Sequence, residues 1–409
     1  MFEWLPWIFL SALACFGMGW LVARIDIKQL LSESRALPQS YFKGVNFLMA
    51  EQPDKAIEAF IEVTKQQPEA IELQFALGSL FRKRGEVDRA IRIHQNLSER
   101  ADLPSEQRTA ALLDLALDYE KAGLLEHAER ILVDLSAKSA GSKKQQRQTL
   151  ELLLEIHVQE RNWQKAIDDA QRMQSGDDDP ATYATEIANY NCESAIEAHR
   201  QGMQVAADAY LESALIANEK CVRANLMKGE WLAAAGKHDQ AIAVWRRIEQ
   251  QSPAYLGLMA DQILVSFEAI GKTEQGLSEL RSLQQQYPAL DMFNAIFHAT
   301  MKSEGATSAY NLVKEDLRHN PTLVGLDRLL EAELLAAPDD RKADLKVLKD
   351  LVHTYSSRLA VYRCGNCGFK ARQFYWQCPA CAGWETFPPR RTAEYDTSDR
   401  HLARLQSEG

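Results

Sequence analysis

The chain has 409 residues, 46% of them hydrophobic, with 57 acidic against 47 basic side chains and a net charge of −10. That hydrophobic share excludes a mostly disordered polypeptide, and the acidic balance argues against nucleic-acid binding, which needs a broad basic face. A chain of this length makes about two or three domains. Cys15, Cys192 and Cys221 have no close sequence partner and the remaining four of the seven cysteines form two tight pairs, so there is no disulfide framework and the usage fits a reducing compartment.

Residues 5–23, LPWIFLSALACFGMGWLVA, carry no charge. At ~1.5 Å per helical residue the segment just spans a ~30 Å hydrocarbon core. Trp4, Trp7 and Trp20 lie near its ends, where indole rings favour the membrane interface. A secretory signal would need a basic leader, and only Glu3 precedes the segment. A lipoprotein signal ending at Cys15 fails for the same reason, and Ala12-Leu13-Ala14 matches it poorly. Arg24 and Lys28 follow the apolar run, so the positive-inside rule places the rest of the chain in the cytoplasm. Residues 1–25 are therefore expected to be a single transmembrane anchor.

From about residue 37 to 355 short apolar stretches recur at helical spacing, with few strand signals. The chain aligns on itself at an offset of 34: Gly44, Phe47, Ala56 and Phe60 fall over Gly78, Phe81, Ala90 and His94. This spacing resembles the tetratricopeptide repeat, in which a small residue and an alanine let two helices cross closely while large residues fill the space around them. The alanine position steps through Ala56, Ala90, Ala128, Ala166, Ala207, Ala241, Gly276 and Ala309. The expected fold is all-α: about eight repeats and a degenerate last pair near 326–355, with longer loops at 136–148 and around 177–180. Stacked helix pairs create a groove lined by the first helix of each pair. By resemblance the floor of the first repeat is Pro38, Tyr41, Val45, Leu48 and Met49, and that of the second Glu72, Phe75, Ser79, Arg82 and Lys83. Arg82, Lys83, Arg84, Arg89 and Arg92 form the densest basic cluster in an acidic chain. Most such runs are solvated faces; the alternative is a docking point for an acidic partner or anionic lipid headgroups, with Tyr41 and Phe75 beside it.

No phosphate-cradling G-x-x-x-x-G-K-[ST], H-E-x-x-H or G-x-S-x-G occurs, and no carboxylate pair stands out, so no residue suggests an enzyme. His94, His157 and His199 fall on repeat helices and read as packing or surface residues.

The C-terminal region carries the chemistry. Cys364-Gly-Asn-Cys367 and Cys378-Pro-Ala-Cys381 are two knuckles whose thiolates complete a tetrahedral S4 site for one metal ion, iron or zinc. A thioredoxin-type dithiol uses one such pair in a βαβ setting, which is missing here. Gly368 suits the positive-φ turn of the first knuckle. Residues 362–387 are too few to build a core alone, so the metal is expected to hold the fold, with Trp376 and Trp384 packing around it or against the last repeats. Cys-x-x-Cys-Gly-Phe with Cys-Pro-x-Cys resembles rubredoxin, although only ten residues separate the knuckles and Ala382 replaces a glycine. After Pro388-Pro389 the polar tail, 388–409, is expected to be disordered.

The order of anchor, repeats and rubredoxin-like knuckles, with the second-repeat run Phe81-Arg82-Lys83-Arg84-Gly85-Glu86-Val87-Asp88-Arg89-Ala90 and the segment 362–384, resembles the lipopolysaccharide assembly protein B family of Gram-negative bacteria. The resemblance implies a non-enzymatic inner-membrane adaptor. It would promote proteolysis of the lipid A pathway deacetylase by a membrane AAA+ metalloprotease and help organise lipopolysaccharide assembly components. A general membrane scaffold or co-chaperone, an iron redox carrier, and a homodimeric state stay open at this point.

Overall fold

The computed structural model describes residues 39–389 except 51, 67–69, 139–141, 177–180, 288–291, 320 and 358–361. The expected membrane segment and residues 390–409 lie outside the described residues. Among the described residues no helix is long and apolar enough to cross a membrane.

The described residues form two compact units, divided between Ile156 and His157. The first holds α1 (Gln39–Met49), α2 (Pro53–Gln66), α3 (Ile71–Arg84), α4 (Val87–Glu99), α5 (Ser105–Lys121), α6 (Leu125–Ala137) and most of α7 (Lys143–Gln159). The second continues with α8 (Trp163–Ser175), α9 (Ala184–Arg200), α10 (Gln204–Ala217), α11 (Val222–Ala234), α12 (His238–Trp245), α13 (Arg247–Gln251), a 3-10 turn (Pro253–Tyr255), α14 (Leu256–Ala269), α15 (Thr273–Gln286), α16 (Phe293–Ser303), α17 (Ala306–His319), α18 (Leu323–Ala336) and α19 (Asp339–Ser356). Taken in chain order, and apart from the short α13, the described helices alternate as first and second members of nine pairs.

The first, second and sixth pairs close where a glycine meets a large side chain, Phe60, His94 and Trp245 in turn. A Cβ on Gly78 would lie 2.5 Å from His94, and one on Gly229 would lie 2.1 Å from the Trp245 indole. Only glycine lets α11 and α12 approach around a tryptophan that is 1% exposed and donates its indole N–H to the Leu226 carbonyl at 3.1 Å. Within six of the nine pairs the turn between helices carries a positive-φ glycine, as at Gly85, where φ is 84° and the N–H of Glu86 reaches back to the Phe81 carbonyl at 2.9 Å. In the fourth pair Arg161 stands at that place with φ 57°. A side chain with a Cβ in the left-handed region explains why this repeat reads weakly in sequence.

The loop expected at 136–148 is shorter than that, while the one expected around 177–180 lies outside the described residues. Residues 143–148 are helical, and α5, α7 and α9 each have 17 residues against 14 in α3, so much of the extra length lengthens first helices rather than loops.

In the first unit the apolar core comprises two clusters, one around Phe60, Leu77, Phe81 and Ala90 and one around Leu113, Leu132 and Leu153. A charged link crosses it: fully buried Asp118 accepts from Arg82 at 2.7 Å and faces His94 Nδ1 at 2.5 Å. Buried charges persist only when paired in this way.

Candidate metal centre and its docking surface

The metal candidate is a ribbon of two strands and two knuckles. β1 (Tyr362–Arg363) pairs antiparallel with β2 (Lys370–Ala371) in the register Tyr362 to Ala371, and a single bridge joins Gln377 to Trp384. The knuckles repeat one geometry. Gly368 N–H donates to the Cys364 carbonyl at 3.0 Å, and Ala382 N–H to the Cys378 carbonyl at 2.8 Å. Both turn residues have positive φ, 75° at Gly368 and 54° at Ala382. The glycine expectation thus holds in the first knuckle, while in the second an alanine adopts a conformation that L side chains resist.

These turns bring Cys364, Cys367, Cys378 and Cys381 together, with all four sulfurs within 4.8 Å of one another. The Cys364–Cys381 and Cys367–Cys378 sulfur separations are both 3.7 Å. A tetrahedral ion with metal–sulfur bonds of ~2.3 Å has edges of ~3.8 Å, so the donor set fits one zinc- or iron-sized ion. The protonation balance agrees. Burial pushes the Cys364 thiol up, but hydrogen bonds from Thr386 and from the N–H groups of Cys367 and Asn366 prevail and bring it down to about 6. The Gly383 N–H favours the Cys381 thiolate, yet desolvation and the neighbouring sulfurs outweigh it and push that thiol up to about 12. Sulfurs this close resist ionising together unless a cation sits among them. Cys364 and Cys378 are buried, Cys367 and Cys381 exposed.

Of the two sequence readings, packing around the metal site or against the last repeats, the contacts seen among the described residues place the ribbon chiefly on earlier pairs. It lies on first-helix surfaces of pairs five to seven. Phe374 and Trp376 pack against the core cluster that includes Val222, Tyr255 and Leu256. Tyr255 stacks on Trp376 at 5.9 Å, and Tyr190 meets Trp384 edge-on at 6.1 Å. Arg223, only 4% exposed and paired with Glu193 at 2.6 Å, sets its guanidinium 5.7 Å from the Trp376 ring and 5.4 Å from the Trp384 ring. Between them sits Glu385. Its side chain accepts from Asn189 at 3.0 Å, its carbonyl accepts from the Tyr255 hydroxyl at 2.5 Å, and its N–H donates to the Trp376 carbonyl at 2.7 Å. Burial pushes the Glu385 carboxyl up, against opposing contributions from Asn189, Cys221 and Arg223. Burial likewise raises the Tyr190 and Tyr255 hydroxyls.

Asn189, Arg223, Tyr255 and Glu385 were not singled out from sequence. Their one available signal was polarity at first-helix positions and beside Trp384, amid otherwise apolar packing residues.

The basic cluster is largely consumed within the first unit. Arg82 pairs with Asp114 and Asp118, Arg84 with Asp54 and Glu86, and Arg89 with Glu86 while lying 4.0 Å over the Phe81 ring. Lys83 and Arg92 are exposed. Phe75 is half-buried, its ring 6.1 Å from His94. Tyr41 lies on α1, and its side chain is outside the described residues.

Residues 362–389 match the model described as rubredoxin metal binding domain, and residues 43–102 and 201–255 match the tetratricopeptide repeat. Lipopolysaccharide assembly protein B of Escherichia coli is 31% identical over 389 residues, covering 94% of this chain and 98% of its own length. The chain belongs to the lipopolysaccharide assembly protein B family. The Haemophilus influenzae member is 27% identical, covering 95% of this chain and 99% of its own. Among solved structures, a tetratricopeptide repeat protein from Parabacteroides merdae aligns over 76% of this chain and 100% of its own at 14% identity, with a TM-score of 0.26. The two family-model matches and the four-cysteine cluster establish an all-α repeat fold with a small C-terminal ribbon, and repeat fold and family together suggest an adaptor or scaffold in lipopolysaccharide assembly.

Proposed function

We propose that the chain is an inner-membrane adaptor that limits lipopolysaccharide synthesis by delivering the lipid A pathway deacetylase to a membrane AAA+ protease, and that it helps gather lipopolysaccharide assembly components. The near full-length match to the Escherichia coli protein, spanning repeats and ribbon together, carries this reading. The uncharged segment 5–23 would anchor the chain, with the remainder in the cytoplasm. Anchoring confines adaptor, protease and client to one surface and raises their effective concentration. Cys364, Cys367, Cys378 and Cys381 would hold one zinc or iron ion whose role is to fold the ribbon, without turnover.

The test is the half-life of the deacetylase in cells depleted of this protein. A lengthened half-life restored by the full chain, and not by one lacking residues 1–25, supports a membrane-tethered degradation adaptor. An unchanged half-life refutes the proteolytic role.

A further inference from the structure

The last helix of the repeat array leaves most of its surface to solvent. In α19, a helix of 18 residues, only Leu345 is buried, because α18 packs on one side of it and no further pair follows among the described residues. The face turned outward is not the polar one that usually ends a soluble array. Val347, Leu351 and Tyr355 recur every four residues with Leu348 beside them, so they form one row, and they are between 51% and 68% exposed. Exposed apolar side chains standing singly, as Val265 does, are ordinary; a contiguous row is the mark of an interface.

The order of residues along the row says what covers it. Val347-Leu348-Lys349-Asp350-Leu351-Val352 has the same apolar members read from either end. A two-fold contact between identical helices requires such a pattern, whereas a contact with a different protein does not. With two copies of α19 laid antiparallel about an axis between Lys349 and Asp350, Leu348 falls against the partner's Leu351, and Asp344 against the partner's Tyr355. Asp344 lies one turn before Leu348 on the same face, is exposed and has no ion-pair partner among the described residues. The area is sufficient as well. At their exposures the four apolar residues offer about 500 Å² per copy, so pairing buries about 1,000 Å², the lower bound for a specific interface.

We propose that α19 is a self-association face: two copies of this chain pair antiparallel through Val347, Leu348, Leu351 and Tyr355, and the Tyr355 hydroxyl of each donates to the Asp344 carboxylate of the other. The two hydrogen bonds to a charged acceptor close the ends of the apolar seam and fix its register. The pairing does not rest on a role in lipopolysaccharide assembly, so either can fail alone.

The test is the dissociation constant of the full-length chain in detergent micelles, measured by sedimentation velocity over about 1–100 μM, the range in which small interfaces dissociate. Circular dichroism accompanies every variant; all the substituted positions are exposed, and helicity is expected to be retained. Leu348→Glu/Leu351→Glu is expected to leave a monomer. Tyr355→Glu, which sets two carboxylates against each other at both ends, is expected to weaken the dimer by about tenfold. Adding Asp344→Lys to Tyr355→Glu restores the dimer, whereas adding Asp350→Lys, the same change of charge off the row, does not. Positions 344 and 355 are ~16 Å apart along one helix, too far to pair within a chain, so the rescue reads a contact between copies. A parent chain that stays monomeric over that range, a dimer that survives Leu348→Glu/Leu351→Glu, or equal rescue by Asp344→Lys and Asp350→Lys overturns the proposal. A chain that dimerises only after removal of residues 390–409 overturns it too, since its own tail is then the occupant of the face.

Discussion

Arg161 and Asp118 show how single side chains set the stability of this repeat array. Arg161 occupies a turn where six other pairs use glycine, at φ 57°. Relieving a left-handed residue gains ~1–2 kcal/mol, and the added freedom of glycine in the unfolded chain returns ~0.4–1 kcal/mol. Arg161→Gly is expected to stabilise the second unit by about 0.5–1 kcal/mol in urea unfolding. Asp118 is fully buried between Arg82 and His94. Asp118→Asn leaves the arginine to Asp114 alone and removes the charge facing the histidine, at a cost of about 3 kcal/mol to the first unit, read as a lower urea midpoint. His94 itself was legible only by place: the 34-residue offset put it where Phe60 stands in the first repeat. Its buried carboxylate partner comes from the following pair, and no local pattern announces a contact 24 residues away.

At the level of elements, the helices and knuckles were readable because their determinants are local. The alanine ladder, the turn glycines and the two C-x-x-C motifs each act within a few residues of themselves. Where the ribbon lands was not readable, because Asn189 and Glu385 are 196 residues apart and each is unremarkable alone. Burial of the Glu385 carboxyl at this contact makes ribbon docking sensitive to pH. Burial raises the docked Glu385 carboxyl above 4.5, so the docked form keeps a proton that the released form has lost. That contribution is complete below 4.5 and is lost as pH rises through the docked value. The urea midpoint of the second unit in the parent, relative to Glu385→Gln, is therefore expected to improve on acidification from neutrality towards 4.5. The glutamine protein keeps the Asn189 hydrogen bond and lacks this component of the pH dependence.

For the whole molecule, stacked pairs communicate mainly through nearest neighbours. The ribbon is an exception, joining pairs five, six and seven at once through Tyr190, Arg223 and Tyr255. Chelation is expected to lower amide protection across α9, α11 and α14 while leaving α1 to α6 unchanged, as hydrogen exchange with mass spectrometry would resolve. Cys364→Ser is expected to do the same without loss of overall helicity; protection that fell evenly along the chain would mean that the array unfolds as one body. The same three-way joint has an evolutionary side. Asn189, Arg223, Tyr255, Trp376, Trp384 and Glu385 form one lock written in four distant stretches of the gene. A change in any one stretch is tolerated only with a matching change in another, so these positions should be inherited together while the helix surfaces around them drift independently.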